Sequence, residues 1–209
     1  MDRQSWNERY SASTVWSGKP NAAVVEHLAE LPPGGIALDV GCGEGGDALW
    51  LASRGWDVVG VDWAGVALDR ARERAASAGL RARFVEGDAM DAAFLASLSP
   101  TGTFQLVTVA YLHPEPAHRA RSFAPLPGLV APGGHLLVIA HDPEHGALGL
   151  GGPPAHRLLG PDDIVAALAL PESFRVLVRG GWRRHHAAHG PDREAVQALD
   201  AVVLVQREA

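Results

Sequence analysis

The chain has 209 residues, 47% of them hydrophobic, and a formal net charge of −6. This length predicts one domain over residues 1–209, with enough apolar side chains for a sizeable core. The acidic balance argues against nucleic acid and anionic membrane as partners. The polar N-terminus, the single cysteine and the absence of a long apolar run predict a soluble, cytoplasmic protein without internal disulfides or membrane spans.

Short apolar runs alternate with helical patterns through the first two thirds of the chain. Five runs are predicted as buried strands, at 36–40, 57–61, 82–86, 104–110 and 135–140. Helices are predicted between them at 46–53, 65–78, 91–98 and 116–130. Strands that alternate with crossover helices predict a parallel sheet covered on both faces.

The flanking segments complete this plan. They predict helices at 21–31 and 161–170 and two late strands at 174–178 and 201–206, which form a hairpin-like pair. We therefore expect an α/β fold with a doubly wound, Rossmann-like sheet of seven strands, mostly parallel with the last strand antiparallel, and helices on both faces. Residues 1–35 would form an N-terminal helix and lid, 36–143 the ligand-binding core, and 144–209 a C-terminal part with the last two strands.

A glycine-rich turn, Gly41-Cys42-Gly43-Glu44-Gly45-Gly46, links the first strand to the following helix. Its glycines let the backbone turn sharply and approach a ligand, and the helix N-terminus directs free N–H groups toward it. Asp39, just before the turn, can orient this loop or meet a ligand ammonium group. Such turns also serve as simple tight connections, so the turn alone does not define a cofactor site.

Two further acids follow the next two strands. Asp62 ends the second strand, 23 residues after Asp39, which is the placement of an acid that accepts both ribose hydroxyls. It can also cap the helix that begins at Gly65. Asp88 and Ala89 follow the third strand, where a carboxylate and a backbone N–H can hold the edge of an adenine.

These residues resemble the class I S-adenosylmethionine (SAM) dependent methyltransferases, whose first motif is a strand followed by Asp-x-Gly-x-Gly-x-Gly. The resemblance implies SAM as cofactor and S-adenosylhomocysteine as product. It implies that the acid after the second strand holds the ribose and the acid after the third strand holds the adenine amine. The matching positions in this sequence are Asp39, Gly41, Gly43, Asp62 and Asp88.

Other contacts follow from the same resemblance. Trp63 would stack on the adenine, and Ala110 would line the methionine side of the cofactor. Cys42 lies inside the glycine turn, and we interpret it as a small neighbour of the cofactor and not as a nucleophile, because no basic partner adjoins it in sequence.

The N-terminal segment and the glycine turn also resemble the tellurite-resistance and thiopurine methyltransferase-like branch of that family. This resemblance implies an N-terminal segment that folds over the cofactor, with Trp6, Tyr10 and Trp16 on the lid. The same aromatic side chains would equally well pack the first helix against the sheet.

Two other functions remain open at this point. The turn also satisfies the Gly-x-Gly-x-x-Gly pattern of NAD-dependent oxidoreductases, counted over Gly41, Gly43 and Gly46. The chain lacks a Tyr-x-x-x-Lys pair, however, and its single lysine, Lys19, precedes the first strand. The other alternative is a catalytically silent SAM-binding sensor or partner subunit, because methyl transfer needs no invariant base.

The chemistry of methyl transfer is expected at the ends of the fourth and fifth strands, since ligands bind at the carboxyl ends of parallel strands. His113 and His141 follow these two strands, and either would serve as a base near neutral pH or only cap a strand end. The sequence around His141, Asp142 and His145 indicates loops, so no metal site is expected. The acceptor is expected to be a small molecule and the protein a monomer or homodimer.

Overall fold

The computed structural model describes residues 3–12, 18–147, 152–186 and 196–209. Seven strands form one sheet in the order β3-β2-β1-β4-β5-β7-β6. The strands are β1 Ile36–Val40, β2 Asp57–Asp62, β3 Ala82–Glu86, β4 Phe104–Ala110, β5 Val130–His141, β6 Phe174–His186 and β7 Val196–Arg207. Neighbouring strands from β3 to β5 pair in parallel, whereas β7 runs antiparallel to both β5 and β6. The predicted fold class is therefore confirmed.

Helices pack on both faces of this sheet. They are α1 Arg3–Ala12, α2 Ala22–Leu28, α3 Gly46–Ser53, α4 Gly65–Ser77, α5 Ala92–Ser97, α6 Arg119–Phe123, α7 Pro143–Ala147 and α8 Pro161–Leu168. Among the described residues, no helix is both long and apolar enough to cross a bilayer.

The core has two layers because successive strand residues point to opposite faces. In β5, for example, Leu136 and Val138 pack in one cluster with side chains of α5, α6 and α8. Leu137 and Ile139 pack in the other cluster with side chains of α2, α3 and α4. The near-continuous apolar strands are thus explained by burial on both sides.

Several element boundaries differ from the prediction. The helix predicted over 116–130 is divided into a 3₁₀ turn at Pro116–His118, α6, and a second 3₁₀ turn at Leu126–Leu129, because the prolines in this stretch remove the backbone donors that a continuous helix needs. Strands β5, β6 and β7 are each at least twice as long as predicted. The added part of β6, residues 179–186, is mostly polar or glycine, whereas the added part of β7, residues 196–200, mixes apolar and polar residues; the two still pair along the backbone.

The strand order places a crevice between β1 and β4. The sheet grows in one direction from β1 through β2 and β3, and in the other from β4 through β5. Loops after β1 and β4 therefore leave the sheet on opposite sides, and the gap between them is the usual ligand position in such folds. Leu112, in the loop after β4, would lie 3.7 Å from a Cβ added at Gly41, so the two loops face each other across this crevice.

Candidate cofactor and acceptor site

The glycine turn is fixed to the neighbouring strand by its own backbone. The N–H groups of Gly41 and Cys42 both donate to the carbonyl of Val61, at 2.8 and 2.9 Å. Gly41 has a φ of +74°, a conformation that residues with a Cβ rarely adopt. Among the described residues, an added Cβ there would contact only Leu112.

Asp62 joins the turn to the start of α4. One carboxylate oxygen accepts from the Gly43 N–H at 3.0 Å, and the other accepts from the Ala64 N–H at 2.9 Å. Burial raises the pKa of Asp62, while these backbone donors counteract that rise. Each oxygen keeps a further lone pair, so the carboxylate can hold the turn and also accept from two ribose hydroxyls. Because Ala64 directly precedes α4, the contact with its N–H corresponds in part to the alternative role of Asp62 as a helix cap.

Asp39 is a buried carboxylate with unused hydrogen-bonding capacity. Thr108 donates to Oδ1 at 2.9 Å, whereas Oδ2 is buried and has no hydrogen-bond partner among the described residues. Burial and the neighbouring Asp47 raise the pKa of Asp39 to about 8. A ligand ammonium group would ionise and pair this acid, so the residues present fit the cation that SAM carries on its methionine part.

The N-terminal segment is fastened to the same region. Asn21 donates to both oxygens of Asp47 at 2.6 Å, through its backbone N–H and its side-chain amide. The Arg74 guanidinium donates to the carbonyls of Glu44 and Gly18. Residues just before α2 are thereby held against the glycine turn and α3.

Helix α1 lies against the residue that follows the ribose acid. Tyr10 is buried and stacks with Trp6 at a centroid distance of 5.6 Å. Both belong to a cluster that includes Trp63 and the first turn of α4. These side chains pack α1 against Trp63 and the first turn of α4, whereas the packing alternative expected the sheet. Trp16 lies outside the described residues.

The remaining predicted cofactor residues surround the crevice to different degrees. Asp88 is exposed and accepts from the Met90 N–H at 2.8 Å. Ala89 and Ala110 are half-buried. Burial raises the pKa of the Cys42 thiol well above its ordinary value, which agrees with the prediction that it is not a nucleophile.

A network of five side chains lies near the ends of β4 and β5, and we call it the acceptor side of the crevice. Its members are Tyr111, His113, His141, His145 and Asp200. The Tyr111 hydroxyl donates to Asp200 Oδ2 at 2.9 Å, and Nδ1 of His141 lies 3.1 Å from Asp200 Oδ1. The ring of His141 stacks between His113 and His145, at centroid distances of 5.1 and 4.3 Å.

His113 and His141 lie next to each other with stacked rings, but they occupy different environments. Nε2 of His113 accepts from the His141 backbone N–H at 3.0 Å. Burial, with the nearby His141, lowers the pKa of His113 to about 3. His113 is thus a neutral ring that ties the loop after β4 to the end of β5. The His141 side chain is 17% exposed and keeps a nitrogen that no described residue hydrogen-bonds.

Sequence reasoning missed Asp200 and misjudged the surroundings of His145. Asp200 interrupts the apolar run of β7 and is fully buried; a lone acid in such a run is a usable signal. His145 lies in α7 and not in a loop. Among the described residues, His141, His145 and Asp200 could place ligand atoms within 4.8 Å of one another.

A second group of contacts, around Glu115 and Arg119, lies at the outer end of the acceptor side. Glu115, after β4, accepts from Arg157 and lies 3.2 Å from Nε2 of His156. Arg119 donates to the backbone carbonyls of His156 and Leu158. Residues 155–158 are thereby fixed over the loop that carries His113.

Comparisons with known proteins agree with this geometry. Residues 37–134 match the family model of the methyltransferase domain. A demethylmenaquinone methyltransferase from Thermus thermophilus is 39% identical over 116 residues, which are 54% of this chain and 50% of that protein. The chain thus spans about half the length of this curated relative.

Solved structures share the fold over almost the whole chain. A protein whose structure concerns the conversion of a disulfide bond into a thioacetal group during echinomycin biosynthesis has a TM-score of 0.78 at 20% identity, with 99% of this chain and 92% of that chain covered. TehB from Haemophilus influenzae has a TM-score of 0.68 at 14% identity, with 100% and 68% covered. The methyltransferase match over residues 37–134 and the shared fold agree with the resemblance to class I SAM-dependent methyltransferases that the residue pattern gave.

Proposed function

We propose that the protein transfers a methyl group from SAM to a small-molecule acceptor. The observation that carries this proposal is the buried Oδ2 of Asp39 beside the glycine turn, which has no hydrogen-bond partner among the described residues and could therefore accept from a ligand that donates to it. SAM supplies such a donor in its ammonium group and, when bound, an activated methyl group on a sulfonium. The named activity of the Thermus relative, which concerns a quinone, supports a small molecule as acceptor.

The chain's own residues would contribute mainly by positioning. Asp39 would pair with the ammonium group and Asp62 with the ribose hydroxyls. Trp63, Asp88 and Ala89 would surround the adenine, with Cys42 beneath the turn and Ala110 along the methionine part. The helix α1 cluster around Trp6 and Tyr10 would cover the adenine end and exclude water from it.

His141 is the better of the two candidate bases. The Nε2 lone pair of His113 is already engaged by a backbone N–H, and its low pKa keeps it from holding a proton at neutral pH. The His141 side chain is 17% exposed, and no described residue hydrogen-bonds its Nε2. We assign the proton-accepting role to His141 and a positioning role to His113.

Thermal unfolding with added SAM, S-adenosylhomocysteine or NAD tests the cofactor. A ligand at about 100 times its Kd stabilises the folded state by about 2.7 kcal/mol, which is a rise in Tm of about 5 to 10 °C for a domain of this size. We expect this rise with SAM and S-adenosylhomocysteine and none with NAD. A rise with NAD alone would contradict the proposal.

Methyl transfer itself is tested with SAM that carries a trideuterated methyl group and a panel of hydroquinones, phenols, thiols and amines. Mass spectrometry would detect a product that is heavier by the labelled methyl group. Tight SAM binding without product from any class would favour the silent sensor or partner subunit instead.

A further inference from the structure

Asp200 reaches the acceptor side because β7 runs antiparallel to β5. In the strand register, Asp200 pairs with His141, so the early part of β7 lies at the edge where the parallel strands end. The carboxylate is fully buried. A buried acid at a ligand-binding edge has to be paired, and both of its oxygens contact side chains from that edge.

The two oxygens of Asp200 have different neighbours. Oδ2 accepts from the Tyr111 hydroxyl, and Oδ1 faces Nδ1 of His141. Tyr111 has a φ of +57°, which is uncommon for a residue other than glycine and is found where the surroundings hold the backbone in place. The strained backbone and the hydroxyl together fix the direction of the carboxylate.

This arrangement sets the tautomer of His141. A carboxylate that faces Nδ1 accepts its proton, so the neutral ring carries hydrogen on Nδ1 and a lone pair on Nε2. No described residue hydrogen-bonds Nε2 of His141, and Nε2 is not among the buried polar atoms without partners. The stacked rings of His113 and His145 limit rotation of the imidazole.

We propose that Asp200 is a positioning residue that holds His141 in the Nδ1–H tautomer, so that Nε2 takes the proton of the methyl acceptor. This inference rests on the proposed methyltransferase function. The acceptor heteroatom forms its bond to the methyl carbon while the carbon–sulfur bond breaks and its electron pair stays on sulfur. The acceptor proton passes to Nε2, and Asp200 balances the charge of the resulting imidazolium.

The His141–Asp200 pair also indicates which chemical class of acceptor the site would take. A base is useful only when the attacking atom carries a weakly acidic proton, as in a phenol, a hydroquinone, an N-hydroxy group or a thiol. A thioether acceptor has no proton to lose and would leave the His141–Asp200 pair without a role. We therefore expect acceptors with O–H, N–H or S–H groups.

A metal site formed by His141, His145 and Asp200 fits the geometry less well. The rings of His141 and His145 are nearly parallel, with an interplanar angle of 12° and centroids 4.3 Å apart. Imidazole lone pairs lie in the ring plane, so stacked rings do not converge on one ion at the roughly 2 Å that zinc requires. Asp200 is also already engaged by Tyr111.

The tautomer is measurable by NMR of protein labelled with ¹⁵N-histidine, with the His141 signals identified by their loss in His141→Gln. We expect Nδ1–H for neutral His141 in the unmodified protein. In Asp200→Asn the fraction of this tautomer should fall at least fivefold, because the new amide group can donate to Nδ1. In Asp142→Asn, which removes an equal charge from the adjacent residue, the tautomer should stay the same.

Several outcomes would overturn the inference. An Nε2–H tautomer in the unmodified protein would do so even if Asp200→Asn did not fold, and so would an unchanged tautomer in a folded Asp200→Asn. Joint shifts of the His141 and His145 signals with one equivalent of Zn²⁺ would indicate a metal site instead. None of these measurements requires SAM. If the proposed function were wrong, the protein would fail to bind SAM, and this failure is thereby distinguished from a failure of the inference about Asp200.

Kinetics give a second readout for any acceptor of the panel that is methylated. Asp200→Asn should lower kcat by about 100-fold or more, with the Kd for SAM unchanged within twofold. A loss of SAM affinity with normal kcat would mark Asp200 as merely structural and contradict the inference.

Discussion

The cofactor side and the acceptor side of the crevice each contain a buried carboxylate, but the two acids are held differently. Asp62 accepts from backbone N–H groups of Gly43 and Ala64. Asp200 faces two side chains, Tyr111 after β4 and His141 at the end of β5. The backbone contacts need only a particular turn, whereas the side-chain contacts need particular residues that lie far apart in the sequence.

This difference explains how one fold can keep its cofactor while its acceptor varies. A turn held by backbone hydrogen bonds keeps its shape as long as its glycines and acids are present. The acceptor side depends on three strand ends and can be rebuilt by single substitutions without disturbing that turn. Function is then set by the site and not by the fold.

The largest expected effect is on SAM affinity, from Asp62→Asn. An amide offers one acceptor where the carboxylate offers two, and the loss of charged hydrogen bonds of about 1.5 to 3 kcal/mol each predicts binding of SAM about 100-fold weaker. Titration calorimetry measures this change. Asp57→Asn, an exposed position at the other end of β2, is the matched control and should bind normally. Equal affinities for the two variants would contradict the assignment of Asp62.

We expect Asp39→Asn to reduce SAM affinity less than Asp62→Asn does and, in addition, to change how stability depends on pH. Asp39→Asn removes the partner of the ammonium group and should weaken SAM binding about tenfold. Folding raises the pKa of Asp39 from 3.8 to about 8, so the folded state keeps a proton that the unfolded state loses in this range. The contribution of Asp39 to the stability of the unmodified protein therefore falls as pH rises from 3.8 to about 8.

Because Asp39→Asn cannot ionise, its Tm relative to the unmodified protein should be higher at pH 8 than at pH 5. Thermal unfolding across this range measures the difference. The control is Asp69→Asn, an exposed acid on α4, which should follow the unmodified protein at every pH. Parallel curves for Asp39→Asn and the unmodified protein would show that Asp39 is ionised when folded.

The smallest expected effects are on stability, from Gly45→Ala and Gly79→Ala. A comparison of the two variants separates the cost of a side chain at positive φ from the cost of a steric contact in the turn. Gly45 has a φ of +78°, and an added Cβ would lie 2.9 Å from Cβ of Ala71. Gly79 has a similar φ of +64° but open space around it. Gly79→Ala should cost about 1 kcal/mol, or roughly 2 to 4 °C in Tm, and Gly45→Ala about twice as much. Equal losses would mean that the turn tolerates the extra methyl group.

The cofactor side could be predicted from sequence because its residues lie close together in the chain. Asp39, the glycine turn and Asp62 fall within 24 residues, and each follows a strand that apolar patterning reveals. The acceptor side was predicted only in part. His113 and His141 follow recognisable strands, but Asp200 depends on the register between β5 and β7, which apolar patterning does not define.

The same reasoning applies to the element boundaries. Strands β1 to β4 were predicted to within one residue, since burial imposes apolar residues, whereas β5 begins five residues earlier than predicted. The added residues of β6 and β7 were not predicted, because residues 179–186 lack an apolar pattern and backbone pairing by itself imposes none.

The central claim is that Asp39, the glycine turn and Asp62 hold SAM, and a crystal structure with S-adenosylhomocysteine tests it most directly. We expect the ammonium group within hydrogen-bond distance of Asp39 Oδ2 and the ribose hydroxyls on Asp62, with the sulfur directed toward His141. Density for the ligand at another position, or with the ribose away from Asp62, would contradict this account.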